Sequence, residues 1–160
     1  MKALVTYASQ TNNTRKLAEA VADSLAVACD LKPMAEIDGV AEYDFIAVGF
    51  WFKGGQPDPV SQEFLGKLAG KKVFLFASHG AAPGSQHVIS GMTKAGQLAV
   101  GTDIIGQFSC QGEVDPRFLE MAAAKNPPPP WLADAPLATG HPDGRDIAQL
   151  QAMVAALSLP

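Results

Sequence analysis

Cysteine is scarce in this chain: two among 160 residues, Cys29 and Cys110, too few for a disulfide scaffold and without metal-ligand spacing. Charge is sparse as well, at 18% of residues, and the basic side is the smaller, with 12 Lys and Arg against 16 Asp and Glu. The resulting net charge of -4 opposes a polyanionic backbone, so no nucleic-acid partner is expected. Long apolar runs are missing: residues 45–52 and 73–77 fall well short of the roughly 20 a bilayer span requires. The first seven residues carry neither the apolar run nor the cleavage pattern of a signal peptide. A cytoplasmic protein without membrane contact is therefore expected. Low charge does not come with low hydrophobicity. At 48% hydrophobic residues the chain can offset its own entropy on folding, which excludes whole-chain disorder and predicts one domain over residues 1–160.

The common phosphate and hydrolase signatures are also absent. There is no G-x-x-x-x-G-K-[ST], no G-x-G-x-x-G and no G-x-S-x-G. His87 and His141 stand apart from any cysteine or carboxylate cluster at ligand spacing, so no metal site is expected.

What the sequence has is alternation. Segments rich in β-branched and aromatic residues predict strands at 2–7, 28–34, 44–50, 72–78 and 103–111, with helix-like stretches between them. Leu17, Val21 and Leu25 recur every fourth residue, and Val60, Phe64, Leu65 and Leu68 mark a shorter helix ended near Gly70. Residues 86–98 read as helical despite Gly91 and Gly96, and Asp143 is placed to cap a last helix carrying Ile147, Leu150, Val154 and Leu157. This is the βαβ pattern of an α/β fold with a parallel sheet and helices on both faces. One break interrupts it, at about 126–142, where Pro127 to Pro130 favour polyproline II and predict a stiff excursion before the last helix.

Three loops follow strands and carry the candidate chemistry. The first, Ser9-Gln10-Thr11-Asn12-Asn13-Thr14, joins a strand to the start of a helix, and its hydroxyls and backbone N–H groups suit a phosphate. The second, Trp51-Phe52-Lys53-Gly54, offers a flat aromatic beside glycines; adjacent on a strand end, Trp51 and Phe52 should point in opposite directions. The third is Ser78-His79-Gly80, and strand five ends nearby in Cys110-Gln111-Gly112. Cys110 is expected to behave as a small apolar core residue. Ligands of open α/β sheets bind at the carboxyl ends of the strands, where all three loops lie.

Ser9 to Thr14 resembles the phosphate loop of the flavodoxin family, S/T-x-T-G-x-T, with Asn12 at the usual Gly. Asn tolerates positive φ better than most residues, so the turn stays open to it. The resemblance covers the whole chain as an order of elements. It implies a three-layer, five-stranded parallel sheet of order 2-1-3-4-5 holding FMN noncovalently. Ser9 to Thr14 would take the phosphate, Trp51 or Phe52 the ring face, and Ser78, His79, Gly80, Gln111 and Gly112 its far edge. The family commonly has a tyrosine in the third loop; here His79 stands in that region. An electron-transfer protein working between redox partners, a reductase and an acceptor, is the function implied. A small FMN-dependent reductase, an electron-donating subunit, and a binding module without FMN remain open.

Overall fold

A computed structural model describes residues 1–159. Its strands are β1 (Ala3–Tyr7), β2 (Cys29–Pro33), β3 (Phe45–Lys53), β4 (Gln56–Pro57), β5 (Lys72–His79) and β6 (Asp103–Gln111). Five of them form a parallel sheet in the order β2-β1-β3-β5-β6, and the short β4 pairs antiparallel with β3. With β4 set aside, this is the expected 2-1-3-4-5 topology. The helices are α1 (Asn13–Ser24), α2 (Pro59–Leu65), α3 (Gln86–Leu98), α4 (Pro116–Ala123) and α5 (Gly144–Ala155).

The central strands read as unbroken apolar runs because both of their faces are covered. Side chains of β3 and β5 alternate between two separate cores. Phe45, Phe74 and Phe76 pack with Leu17 and Val21 of α1 and with Leu150 and Val154 of α5. Ile46, Val48, Phe50 and Leu75 pack with Phe64 and Leu65 of α2 and with Val88 and Met92 of α3. Cys110 lies buried in the first core, where burial pushes its thiol well above the usual range. It is the apolar residue the sequence suggests. Asp143 caps α5 as expected, accepting from the N–H groups of Arg145 and Asp146 at 3.0 Å each.

Gly91 explains how α3 tolerates its glycines. A Cβ there would lie 2.5 Å from the Phe52 ring, so the absence of one lets the helix close onto β3.

Three expectations are corrected. The third strand does not stop at Phe50 but runs through Lys53, because Gly54 and Gly55 adopt φ of 62° and 78° and fold β4 back against it. A two-residue turn with both φ positive matches the right-handed twist of the flanking strands. Trp51 and Phe52 are therefore strand residues. The proline-rich segment is not polyproline II throughout. Pro129 has φ -63° and ψ 145°, but Pro130–Ala138 forms a 3-10 helix, in which Pro130 supplies a first position that needs no N–H donor. Finally, α4 lies where the sequence reading has no element. Its local signal is present in Asp115-Pro116, an N-cap followed by proline, and the Asp115 carboxylate accepts from the Arg117 N–H at 2.8 Å.

The β3–β4 hairpin is pinned by Asp58, which is only 1% exposed. Its carboxylate accepts from the Ser61 N–H at 3.0 Å and from the Ser61 hydroxyl at 2.7 Å, capping α2. Its own N–H donates to the Trp51 carbonyl at 2.9 Å. Asp58→Ala strands these buried donors, and urea unfolding should show a loss of about 2 kcal/mol. Asp58→Asn keeps the cap oxygen and should lose clearly less.

Candidate functional site

A cavity of about 310 Å³ opens at the carboxyl ends of the strands, in the size range of small-molecule sites. Ser9, Gln10, Thr11, Asn13 and Thr14 line it from the β1–α1 loop. Trp51, Phe52, Lys53 and Gly54 line it from the β3 end, Ser78, His79 and Gly80 from the β5 end, and Gly112 follows β6. Two expected site residues do not line it. Asn12 is exposed, and Gln111 is buried away from the cavity. The reason for the second is strand alternation, since Gly112 takes the position that faces the space.

Asn12 contributes through its backbone. It occupies the N-cap of α1 at φ 66° and ψ 2°, the left-handed turn that glycine usually supplies, and its side chain makes no cap bond. The first turn of α1 contains no acidic residue either. The leading N–H groups of this helix are thus left with its positive dipole end and no side-chain acceptor, an arrangement suited to an anion. Beside it, the Ser9 hydroxyl is buried without a partner. Thr14 is differently placed from expectation: it is 1% exposed and its hydroxyl sits 3.0 Å from that of Ser78. That pair ties α1 to β5. Asn13 Nδ2 donates to the Glu113 carbonyl at 2.9 Å, tying the same turn to the segment after β6.

The two aromatics do point opposite ways. Phe52 faces α3, stacked on Phe50 with centroids 6.2 Å apart, and lies 5.4 Å from the His79 ring and 6.0 Å from His87. Trp51 faces the other side of the sheet and meets Phe118 of α4 edge-on at 6.2 Å.

His79 is 5% exposed. Its Nδ1 lies 3.1 Å from the Ala81 carbonyl, while Nε2 is buried without a partner. Burial is the largest influence on it and pushes its pKa down to about 4, against a smaller upward effect of the Ala81 bond. The ring is neutral at pH 7. His87, half-buried, is also lowered by burial.

The sequence reading missed one wall of the cavity. Glu113, Val114, Asp115, Phe118, Met121, Ala122, Lys125, Pro129 and Trp131 all contribute from the excursion between β6 and α5, and Gly55 and His87 from elsewhere. Val114 and Trp131 press on Gly80, where a Cβ would meet them at 2.6 and 3.5 Å. The Asp-Pro start of α4, followed by Phe118, Met121 and Ala122 at helical spacing, was the available signal.

Among the described residues, Thr6 Oγ1, Ser9 Oγ, His79 Nε2 and Gln111 Nε2 are the buried side-chain polar atoms without a partner. Two of the four belong to cavity-lining residues. A site with an unopposed helix N-terminus at one end, aromatic walls and buried unsatisfied polar atoms fits an elongated aromatic ligand ending in an anion. FMN has that form.

Comparison with known proteins bears on the family and the fold. A family model described as flavodoxin domain matches residues 4–155. Flavodoxin-like domain-containing protein BilS of Clostridioides difficile (strain CD3) is 31% identical over 119 residues, covering 71% of this chain and 68% of that protein. Oxidised flavodoxin 2 from Bacillus cereus superposes with a TM-score of 0.65 at 21% identity, covering 96% of this chain and 95% of that one. A flavoprotein in complex with FMN from Lactobacillus acidophilus NCFM gives 0.55 at 18% identity, covering 68% of this chain and 92% of that one. No helix among the described residues is long and apolar enough to cross a membrane.

Proposed function

The chain belongs to the flavodoxin domain family, and on that premise we propose that it binds FMN noncovalently in the cavity and passes electrons between redox partners, a reductase and an acceptor. The observation that carries this reading is the uncapped N-terminus of α1 with the unpartnered Ser9 hydroxyl beside it, opening onto an aromatic-walled space. Bound FMN supplies one- and two-electron chemistry, and the protein supplies binding, orientation and tuning. Ser9, Gln10, Thr11, Asn13 and Thr14 would hold the phosphate end, largely through backbone N–H groups. Trp51 or Phe52 would stack on the ring, both held rigid by the β3–β4 hairpin.

The test is a titration of purified protein with FMN, followed by absorbance and flavin emission. Saturable binding is expected, with flavin emission quenched by the aromatic wall. Trp51→Ala should raise bound-flavin emission and weaken binding by about two- to tenfold, as expected for loss of an aromatic contact worth roughly 0.5 to 1.5 kcal/mol. Unchanged emission in both Trp51→Ala and Phe52→Ala would remove these residues from the site.

A small FMN-dependent reductase is the second reading, favoured by two imidazoles, His79 and His87, on the cavity wall. Assays with NADH and NADPH, using quinones and free flavins as acceptors, separate the two. Robust turnover by the isolated protein selects the reductase, and dependence on added partners selects the carrier.

A further inference from the structure

We propose that His79 is a specificity-determining residue of the cavity, whose Nε2 accepts a hydrogen bond from the ring N–H of the isoalloxazine, the N3–H group. The inference rests on the FMN reading above and assigns a contact within it.

The imidazole has two ring nitrogens with fixed roles. Nδ1 faces the Ala81 carbonyl at 3.1 Å, and a carbonyl can only accept, so Nδ1 carries the proton. Nε2 of the neutral ring is then an acceptor with a lone pair. It is buried and unpartnered, on a side chain 5% exposed that lines the cavity. A buried acceptor left unmet costs about 1 to 3 kcal/mol, so its natural complement is a donor brought by the ligand.

Oxidised FMN offers two kinds of uncharged donor: the N3–H of the ring and the hydroxyls of the ribityl chain. Placement in the fold selects the first. The candidate phosphate loop follows β1, and His79 ends β5, two strands away across β3, a separation of about 10 Å. His79 also lies on the α3 face of the sheet, opposite the face covered by α1. Its immediate neighbours at this end are the rings of Phe52 and, against Gly80, Trp131. A ligand anchored by phosphate at α1 would therefore present its aromatic end here.

The experiment compares binding of FMN and 3-methyl-FMN, in which the N3 hydrogen is replaced, to the wild type, His79→Leu and His79→Gln. The wild type is expected to prefer FMN by about tenfold or more. His79→Leu should bind FMN about tenfold more weakly and lose the preference. His79→Gln, whose amide oxygen can accept, should restore both FMN affinity and discrimination. As a readout independent of the substitutions, the 15N resonance of His79 Nε2 should move upfield on FMN addition while remaining that of an unprotonated nitrogen. It should stay in place with 3-methyl-FMN. Equal preference for FMN in the wild type and His79→Leu, with FMN bound, overturns this assignment and leaves the FMN reading standing. A wild type that discriminates against an FMN analogue lacking a ribityl hydroxyl, with that discrimination lost in His79→Leu while the one against 3-methyl-FMN is kept, overturns it too. Failure of the wild type to bind FMN overturns both.

Discussion

Ser9→Ala is expected to bind FMN about ten to a hundredfold more weakly while binding riboflavin as the wild type does. The two ligands differ only by the phosphate, so the ratio of their affinities isolates what that group touches. The Ser9 hydroxyl is buried and unpartnered, next to a helix N-terminus that has no side-chain cap and no acid in its first turn. A hydrogen bond to a charged acceptor in that setting contributes roughly 1.5 to 3 kcal/mol, which sets the size of the effect. Thr14→Val makes the contrast. Its hydroxyl is already engaged with Ser78, so the loss should fall mainly on folding stability. Fluorescence titration of both variants with both ligands decides it. Equal weakening of FMN and riboflavin by Ser9→Ala would place the phosphate elsewhere.

The second large effect is on stability against acid. The His79 ring is neutral in the folded protein down to a pKa of about 4, while an unfolded histidine titrates near 6.5. Between those values the unfolded chain binds a proton that the folded one refuses, so stability rises with pH in this window. The contribution is fully present above pH 6.5 and is lost as pH falls toward 4. It amounts to about 1.4 kcal/mol per unit, or about 3 kcal/mol across the window. His79→Gln cannot titrate. Urea unfolding of the ligand-free protein at pH 7 and pH 4.5 should therefore show a smaller acid loss in the variant. Parallel pH profiles for the two proteins would mean that the His79 ring is protonated or solvated in the folded protein. Asp115, Asp143 and Glu63 have carboxyl groups held below the usual range by hydrogen bonds, so they add acid sensitivity chiefly at lower pH and equally in both proteins.

The parallel sheet was legible because burial on both faces writes itself as continuous apolar runs. Residues 103–111 and 86–98 match their observed bounds without adjustment. The Asn12 turn was legible for a local reason, since few residues other than glycine accept φ of 66°. What stayed hidden depended on contacts distant in sequence or on very short pairing. β4 is two residues long and contains Pro57, so it carries no periodicity, yet it converts the Trp51–Phe52 loop into strand. Gly91 reads as a helix defect until Phe52 is found beneath it. The Thr14 hydroxyl reads as free for a ligand, whereas that of Ser78, 64 residues away, lies within hydrogen-bond distance of it. Run-of-proline composition outweighed the Asp-Pro cap signal of α4 and the 3-10 segment that follows it, and so the wall bearing Phe118, Met121 and Trp131 was missed.

That wall is attached to the rest of the molecule in an unusual way. The Glu113 N–H donates to the His141 carbonyl at 2.7 Å, so the chain departs from the sheet and comes back at one hydrogen bond. Everything between is a handle with its two feet together. Closing such a handle costs entropy that grows only logarithmically, about 0.6 kcal/mol for each doubling of its length. Changes of length along its outward face leave the strand register untouched, while Val114 and Trp131 stay packed against Gly80 and the α3-side core. Ligand shape and outward surface on this side are in consequence free to diversify as an exchangeable cassette, while the opposite side of the cavity, built from strand ends and the α1 turn, is bound to the architecture itself.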